Sequence, residues 1–185
     1  MQRNPFYGLR LGHYGAILAD PPSPFKTRSP KGQGRSAVRH YKTMDWTAIM
    51  AMPVEQLAAK DCVLFLWATW PTMPQALRLI EFWGFEYKTC AFDWVKVNKD
   101  RRPRFGLGYW TRSNTEPCLL ATRGHPKRLN ADVSQVIVTQ RREHSRKPDQ
   151  VREKIERLVA GPYLELFARS RCKGWDSHGN EVEKF

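Results

Sequence analysis

The feature that most constrains this 185-residue chain is the alternation of short apolar runs with segments of helical period. Cys62-Val-Leu-Phe-Leu-Trp67 is a continuous apolar run, the pattern of a strand buried on both faces. Strands are expected at about Ala16–Ala19, Cys62–Trp67, Tyr87–Lys96, Pro117–Thr122 and Tyr163–Ala168, with a short one at Val136–Val138. Helices are expected at Val54–Ala59, at Met73–Trp83 with Ala76, Leu77, Ile80 and Trp83 on one face, and at Pro148–Val159. Gly84 stops the second helix, and Gly161-Pro162 ends the third. Strand and helix in alternation imply an α/β fold with a mostly parallel sheet and helices on both faces. The tail RSRCKGWDSHGNEVEKF reads as polar. One domain over residues 1–185 is expected, with mobile basic loops at about 23–45 and 98–112.

Charge narrows the partner. The formal charge of +13 favours a polyanion. Between Pro21 and Met44 lie Lys26, Arg28, Lys31, Arg35, Arg39 and Lys42 with no acid. A second cluster, Lys99, Arg101, Arg102, Arg104 and Arg112, surrounds FGLGYW, and a third runs from Arg123 to Lys147. Basic loops interleaved with aromatics suit nucleic acid. The four cysteines and five histidines show no zinc or disulfide spacing, so neither a metal nor a membrane is among the expected partners. The absence of a signal-like or membrane-length apolar stretch reads as a soluble, cytoplasmic protein.

The first strand runs into "GAILADPPSPF". In open α/β sheets, ligands lie beyond the carboxyl ends of the strands, where Asp20 and the prolines fall. Two prolines remove two backbone donors and leave carbonyl and carboxylate acceptors. An aminated base suits them. Its exocyclic nitrogen carries two N–H donors and a lone pair delocalised into the ring. Two fixed acceptors would draw that nitrogen toward tetrahedral geometry and stabilise the positive charge that develops when it attacks.

Five blocks in fixed order carry a resemblance over roughly Gly15 to Glu181: "ADPPSPFKTRSPKGQGRSAVRHY", "VLFLWAT", "FGLGYWTRSNTEPCLLATRG", "REHSRKPDQVREKIERL" and "LELFARSRCKGW…GNE". The chain resembles the adenine-N6 methyltransferases grouped with the catalytic subunit of the eukaryotic mRNA methyltransferase, particularly their short bacterial and phage relatives. The resemblance implies a Rossmann-like S-adenosylmethionine-dependent methyltransferase fold of permuted order, catalytic motif first and cofactor motif last. It implies that Asp20 and the Pro21 carbonyl hold the adenine amine while Pro22 stiffens the turn. Lys147 would meet the carboxylate of S-adenosylmethionine, with Ser145 nearby. Arg169 after Leu166-Phe167, then Asn180 and Glu181, would bind its ribose and adenine. Trp110 and Glu116 would line the acceptor pocket, and Lys26, Arg28, Arg35, Arg39 and Arg104 would meet the polymer. DNA is favoured over RNA, and a homodimer is left open.

One position departs from the family. An aromatic ring usually follows the second proline and stacks on the flipped base, and this chain has Ser23. Phe25, Tyr41 and Trp110 are the rings that the flanking loops offer as replacements. Two readings stand at this point: an adenine-N6 methyltransferase, or a catalytically silent relative that binds nucleic acid or a partner subunit. Retention of the cofactor positions favours the enzyme.

Overall fold

The computed structural model describes residues 5–24, 43–106, 108, 110–140 and 146–183. Among these, seven strands form one sheet. They are β1 (Tyr14–Ala19), β2 (Ala58–Trp67), β3 (Glu86–Val97), β4 (Thr115–Arg123), β5 (Val136–Gln140), β6 (Tyr163–Leu166) and β7 (Trp175–His178), in the order β5-β3-β4-β2-β1-β6-β7. β1 runs parallel to β2 and β6, β6 to β7, and β3 to β5, while β4 is antiparallel to both its neighbours. The helices are α1 (Trp46–Met50), α2 (Met73–Phe82) and α3 (Gln150–Leu158). The fold is therefore mixed α/β with a mostly parallel sheet and helices on both faces.

Side chains of a strand alternate between faces, so the apolar runs of β1 and β2 feed two cores. Ile17, Ala19, Leu64 and Leu66 pack with Ile49 of α1 and with Ala76, Leu79 and Ile80 of α2. Ala16, Leu18, Val63 and Phe65 pack on the other face with Val151 and Ile155 of α3. The buried face of α2 includes Leu79, whereas Leu77 is only partly buried against this core.

Three local expectations change. The helix expected at Val54–Ala59 is a 3-10 turn, Val54–Gln56, because β2 begins at Ala58, where it pairs with Tyr14. The polar tail contains β7, whose backbone pairs with β6 although three of its four side chains, Asp176, Ser177 and His178, are polar. The basic stretch after the prolines closes with α1, capped by the Asp45 carboxylate on Thr47 N at 2.9 Å. No helix among the described residues is long and apolar enough to cross a membrane.

This topology sets the site. Parallel β1, β2 and β6 all end at one edge of the sheet, so Asp20, Ala68 and Phe167 emerge together. β4 starts at that edge, with Cys118 opposite Trp67 and Glu116 opposite Trp94. The segment 98–114 between β3 and β4 projects from the same edge.

Candidate active site

Two clefts open at this edge and share a wall made by Asp20, Trp67 and Lys147. The first has about 400 Å³ of empty space, partly open to solvent, and is also lined by Pro21, Ser23, Trp46, Leu66, Leu79 and Glu116. The second, about 500 Å³, is also lined by Arg146, Asp149, Arg152, Glu165, Phe167 and Arg169.

The shared wall is an ion pair. Lys147 Nζ donates to both carboxylate oxygens of Asp20, each at 2.9 Å, and lies 5.4 Å from the centre of the Trp67 ring. Both charged side chains keep some solvent contact, 18% exposed for Lys147 and 25% for Asp20. A charge this sheltered is costly to leave unpaired, so either member can give up the other only to a ligand group that replaces it. The carbonyls behind Asp20 are less open than the two prolines suggest. Pro21 O already accepts from Ser23 N at 2.7 Å, and Pro22 O accepts from Met44 N at 2.9 Å. A carbonyl has two lone pairs, so Pro21 O retains capacity for one further donor.

Facing the pair across the first cleft, Glu116 is bridged to Lys96 at 3.0 Å. Cys118 lies close enough to feel both charges of the pair, but complete burial holds its pKa well above the ordinary thiol value. A thiolate nucleophile is therefore not on offer, and the chemistry falls to acceptor groups.

The second cleft is ordered by charge. Arg152 of α3 donates Nε to Glu165 Oε2 at 2.7 Å and NH2 to Ser170 Oγ at 3.3 Å. Burial raises the Glu165 pKa, and the Arg152 charge opposes that rise. Arg169 bridges Glu181 at 3.3 Å. Phe167 has φ +60°, a left-handed conformation that costs a non-glycine residue roughly 1–3 kcal/mol and is found where a backbone is shaped for a ligand. Gly179 packs directly against this turn; a Cβ there would run into the Phe167 and Ala168 backbone. The turns after β6 and β7 are thus held together, with Ala168 N donating to His178 O at 3.1 Å. Cations for a carboxylate, acids for an ammonium and polar side chains for a ribose suit S-adenosylmethionine.

Asp20, Pro21, Ser23, Glu116 and Lys147 meet at the first cleft, and Asp20, Lys147, Phe167 and Arg169 at the second. Leu166 is wholly buried in the core. Asn180 is exposed. Trp110, expected at the acceptor pocket, is fully exposed and does not line that cleft. Gly106 N bonds Ser113 O at 2.7 Å, and Trp110 itself has φ +65°. Arg104 is exposed on the same β3–β4 hairpin. Phe25, Lys26, Arg28, Arg35, Arg39, Tyr41 and Ser145 lie outside the described residues. Sequence reasoning missed Trp46, Trp67, Arg152 and Glu165. Glu165 carried a signal: an acid inside the apolar run Tyr163-Leu-Glu-Leu-Phe167 must find a cation if it is buried. Among the described residues, no three His, Cys, Asp or Glu side chains gather to hold a metal.

A parallel-sheet edge that presents an acid–diproline turn beside a zwitterion-sized charged cleft defines an S-adenosylmethionine-dependent amino-methyltransferase. Comparison with known proteins makes the class specific: residues 14–181 match the MT-A70 family, and the chain belongs to it. It is 34% identical to the type II methyltransferase M.MunI of a Mycoplasma species, over 91% of this chain and 78% of the relative. It is 34% identical to an Arabidopsis thaliana N(6)-adenosine-methyltransferase MT-A70-like protein over 93% of this chain, and 32% identical to the human N(6)-adenosine-methyltransferase catalytic subunit METTL3 over 94%. The chain spans 24% and 29% of those two longer relatives. It is an adenine-N6 methyltransferase that uses S-adenosylmethionine.

Proposed function

We propose that the chain methylates the N6 amine of adenine in DNA, with the base in the first cleft and the cofactor in the second. The observation that carries this reading is the Asp20–Lys147 pair in the wall common to both clefts. Lys147 exchanges Asp20 for the carboxylate of the cofactor. That exchange releases the Asp20 oxygens to accept one N–H of the adenine amine, and the Pro21 carbonyl accepts the other. Arg169, Glu181 and the left-handed Phe167 turn hold the nucleoside end. The bound cofactor supplies an electrophilic sulfonium methyl. As the amine lone pair forms the N–C bond, the bond from that carbon to sulfur would break with its electron pair leaving on a neutral thioether, and the Asp20 carboxylate would stabilise the positive charge on nitrogen until its proton leaves to solvent. The target base must leave its stack to reach this depth.

The extent of similarity favours DNA, and an exposed hairpin supports nucleic acid of either kind as the polymer. The similarity covers most of the type II methyltransferase but about a quarter of the relatives named for adenosine. The hairpin beside the first cleft exposes Phe105, Trp110, Arg101, Arg102 and Arg104, rings and cations that suit a strand of nucleic acid. Transfer of a labelled methyl group to paired panels of DNA and RNA oligonucleotides tests the reading. Label in N6-methyladenine of DNA is expected; label only in RNA, or none while the cofactor binds, overturns it.

A further inference from the structure

We infer that Trp46 supplies the ring on which the target adenine stacks, a role that Ser23 cannot fill. The inference rests on the adenine reading above. Trp46 is half-buried and lines the first cleft together with Asp20 and Ser23. Its position beside the acid–diproline turn is fixed from both sides. Met44 N donates to Pro22 O at 2.9 Å, tying the approach to α1 onto the turn. One residue on, Asp45 caps the helix that Trp46 begins. Downstream, Trp83 Nε1 donates to Ile49 O at 3.1 Å and pins α1 to α2. A ring ordered by its packing loses little freedom on meeting a base.

The other described tryptophans near this edge are engaged differently. Trp67 is 5% exposed, sits under Lys147 and meets Trp94 edge to face with centroids 6.4 Å apart. Trp70 Nε1 is bonded to Thr115 Oγ1 at 2.9 Å, and neither Trp70 nor Trp110 lines the cleft. Leu66, Ala76 and Leu79 also line the cleft, beside the hydroxyls of Thr69 and Thr72. This is the lining a flat base needs between its acceptor edge and its faces. Moving the ring from residue 23 to residue 46 keeps the stack while leaving the turn small.

The test uses the full chain, S-adenosylmethionine and a DNA oligonucleotide that the wild type methylates. Trp46→Met keeps apolar bulk and removes the ring. It is expected to lower kcat/KM for the oligonucleotide by about 5- to 150-fold, the range for one lost base–aromatic stack. Cofactor affinity by calorimetry should stay within about twofold of wild type. Trp46→Phe should recover most of the loss, and adding Ser23→Trp to Trp46→Met should restore it from the other position. Unchanged kcat/KM in Trp46→Met overturns the inference, as does a matching loss of cofactor affinity or failure of both ring-restoring variants. Should Trp46→Met not fold, by melting and cofactor titration, Trp46→Phe against Trp46→Leu carries the same comparison. A wild type that binds cofactor but methylates no adenine would instead refute the adenine reading itself.

Discussion

The two clefts on either side of the Asp20–Lys147 pair differ most in the charge they gather. Beyond that pair the first is lined by one charged side chain, Glu116, with Trp46, Leu66, Ala76 and Leu79 beside the hydroxyls of Thr69 and Thr72. The second gathers Arg146, Lys147, Arg152 and Arg169 with Asp20, Asp149 and Glu165. A flat, neutral base gains from apolar faces and needs only a few acceptors at one edge. A zwitterion with a sulfonium needs charges of both signs, already ordered so that few groups reorganise when it binds. On the proposed reading the difference teaches that the pair is a junction: each of its members belongs to a different ligand.

Substitutions can break this contrast, and the largest effect belongs to Asp20→Ala. Methyl transfer should fall by at least about 10²-fold, the scale for losing one preorganised partner of a developing charge. A turnover within about tenfold of wild type would remove Asp20 from the chemistry. Lys147→Ala comes next. It removes a charge-assisted contact to the cofactor carboxylate worth about 1.5–3 kcal/mol, so calorimetry should find cofactor affinity lowered about 10- to 150-fold. Equal affinity would place that carboxylate elsewhere.

The basic hairpin sharpens the contrast from outside. Arg101, Arg102 and Arg104 replaced together by Gln should weaken oligonucleotide binding and flatten its dependence on log[salt] by up to about 2.7, each phosphate contact contributing about 0.9. An unchanged slope would move the polymer to another face. The smallest effect is expected at Asp93, where burial raises the carboxyl pKa although Thr115 donates to it. A carboxylate whose pKa is higher folded than unfolded loses stability as the pH rises through that range. Asp93→Asn should therefore raise the melting temperature slightly at neutral pH, with the gain shrinking as the pH falls toward the ordinary Asp pKa. A gain that grows in acid would contradict the assignment.

Much of this was legible in the chain. β1 and the Cys62–Trp67 part of β2 are continuous apolar runs, and continuity is what two buried faces require. The acid and two prolines at the tip of β1 gave the acceptor turn, because the position after a parallel strand is where ligands meet an α/β sheet. What escaped was non-local. β7 is held by backbone pairing with β6, and Trp175-Asp-Ser-His178 carries no apolar pattern to announce it. α1 is only five residues long, and Trp46 is brought to Ser23 by non-local contacts, the Met44–Pro22 hydrogen bond and packing on the core, that no local pattern announces. The Pro21 carbonyl was expected to be open because the prolines donate nothing, yet Ser23 lies two residues on and donates to it. The resemblance offered Lys147 as a cation for the cofactor; its contact with Asp20 escaped because it joins residues 127 positions apart.

The central claim is that Asp20 and Lys147 hold each other only until their ligands arrive, and titration of S-adenosylmethionine into Asp20→Ala tests it most directly. Lys147 then has no carboxylate to give up, so the variant should bind the cofactor as tightly as wild type or more tightly while transferring no methyl group. Cofactor binding weakened more than about tenfold in that variant would contradict the account, because Asp20 would then belong to the cofactor and not to the base.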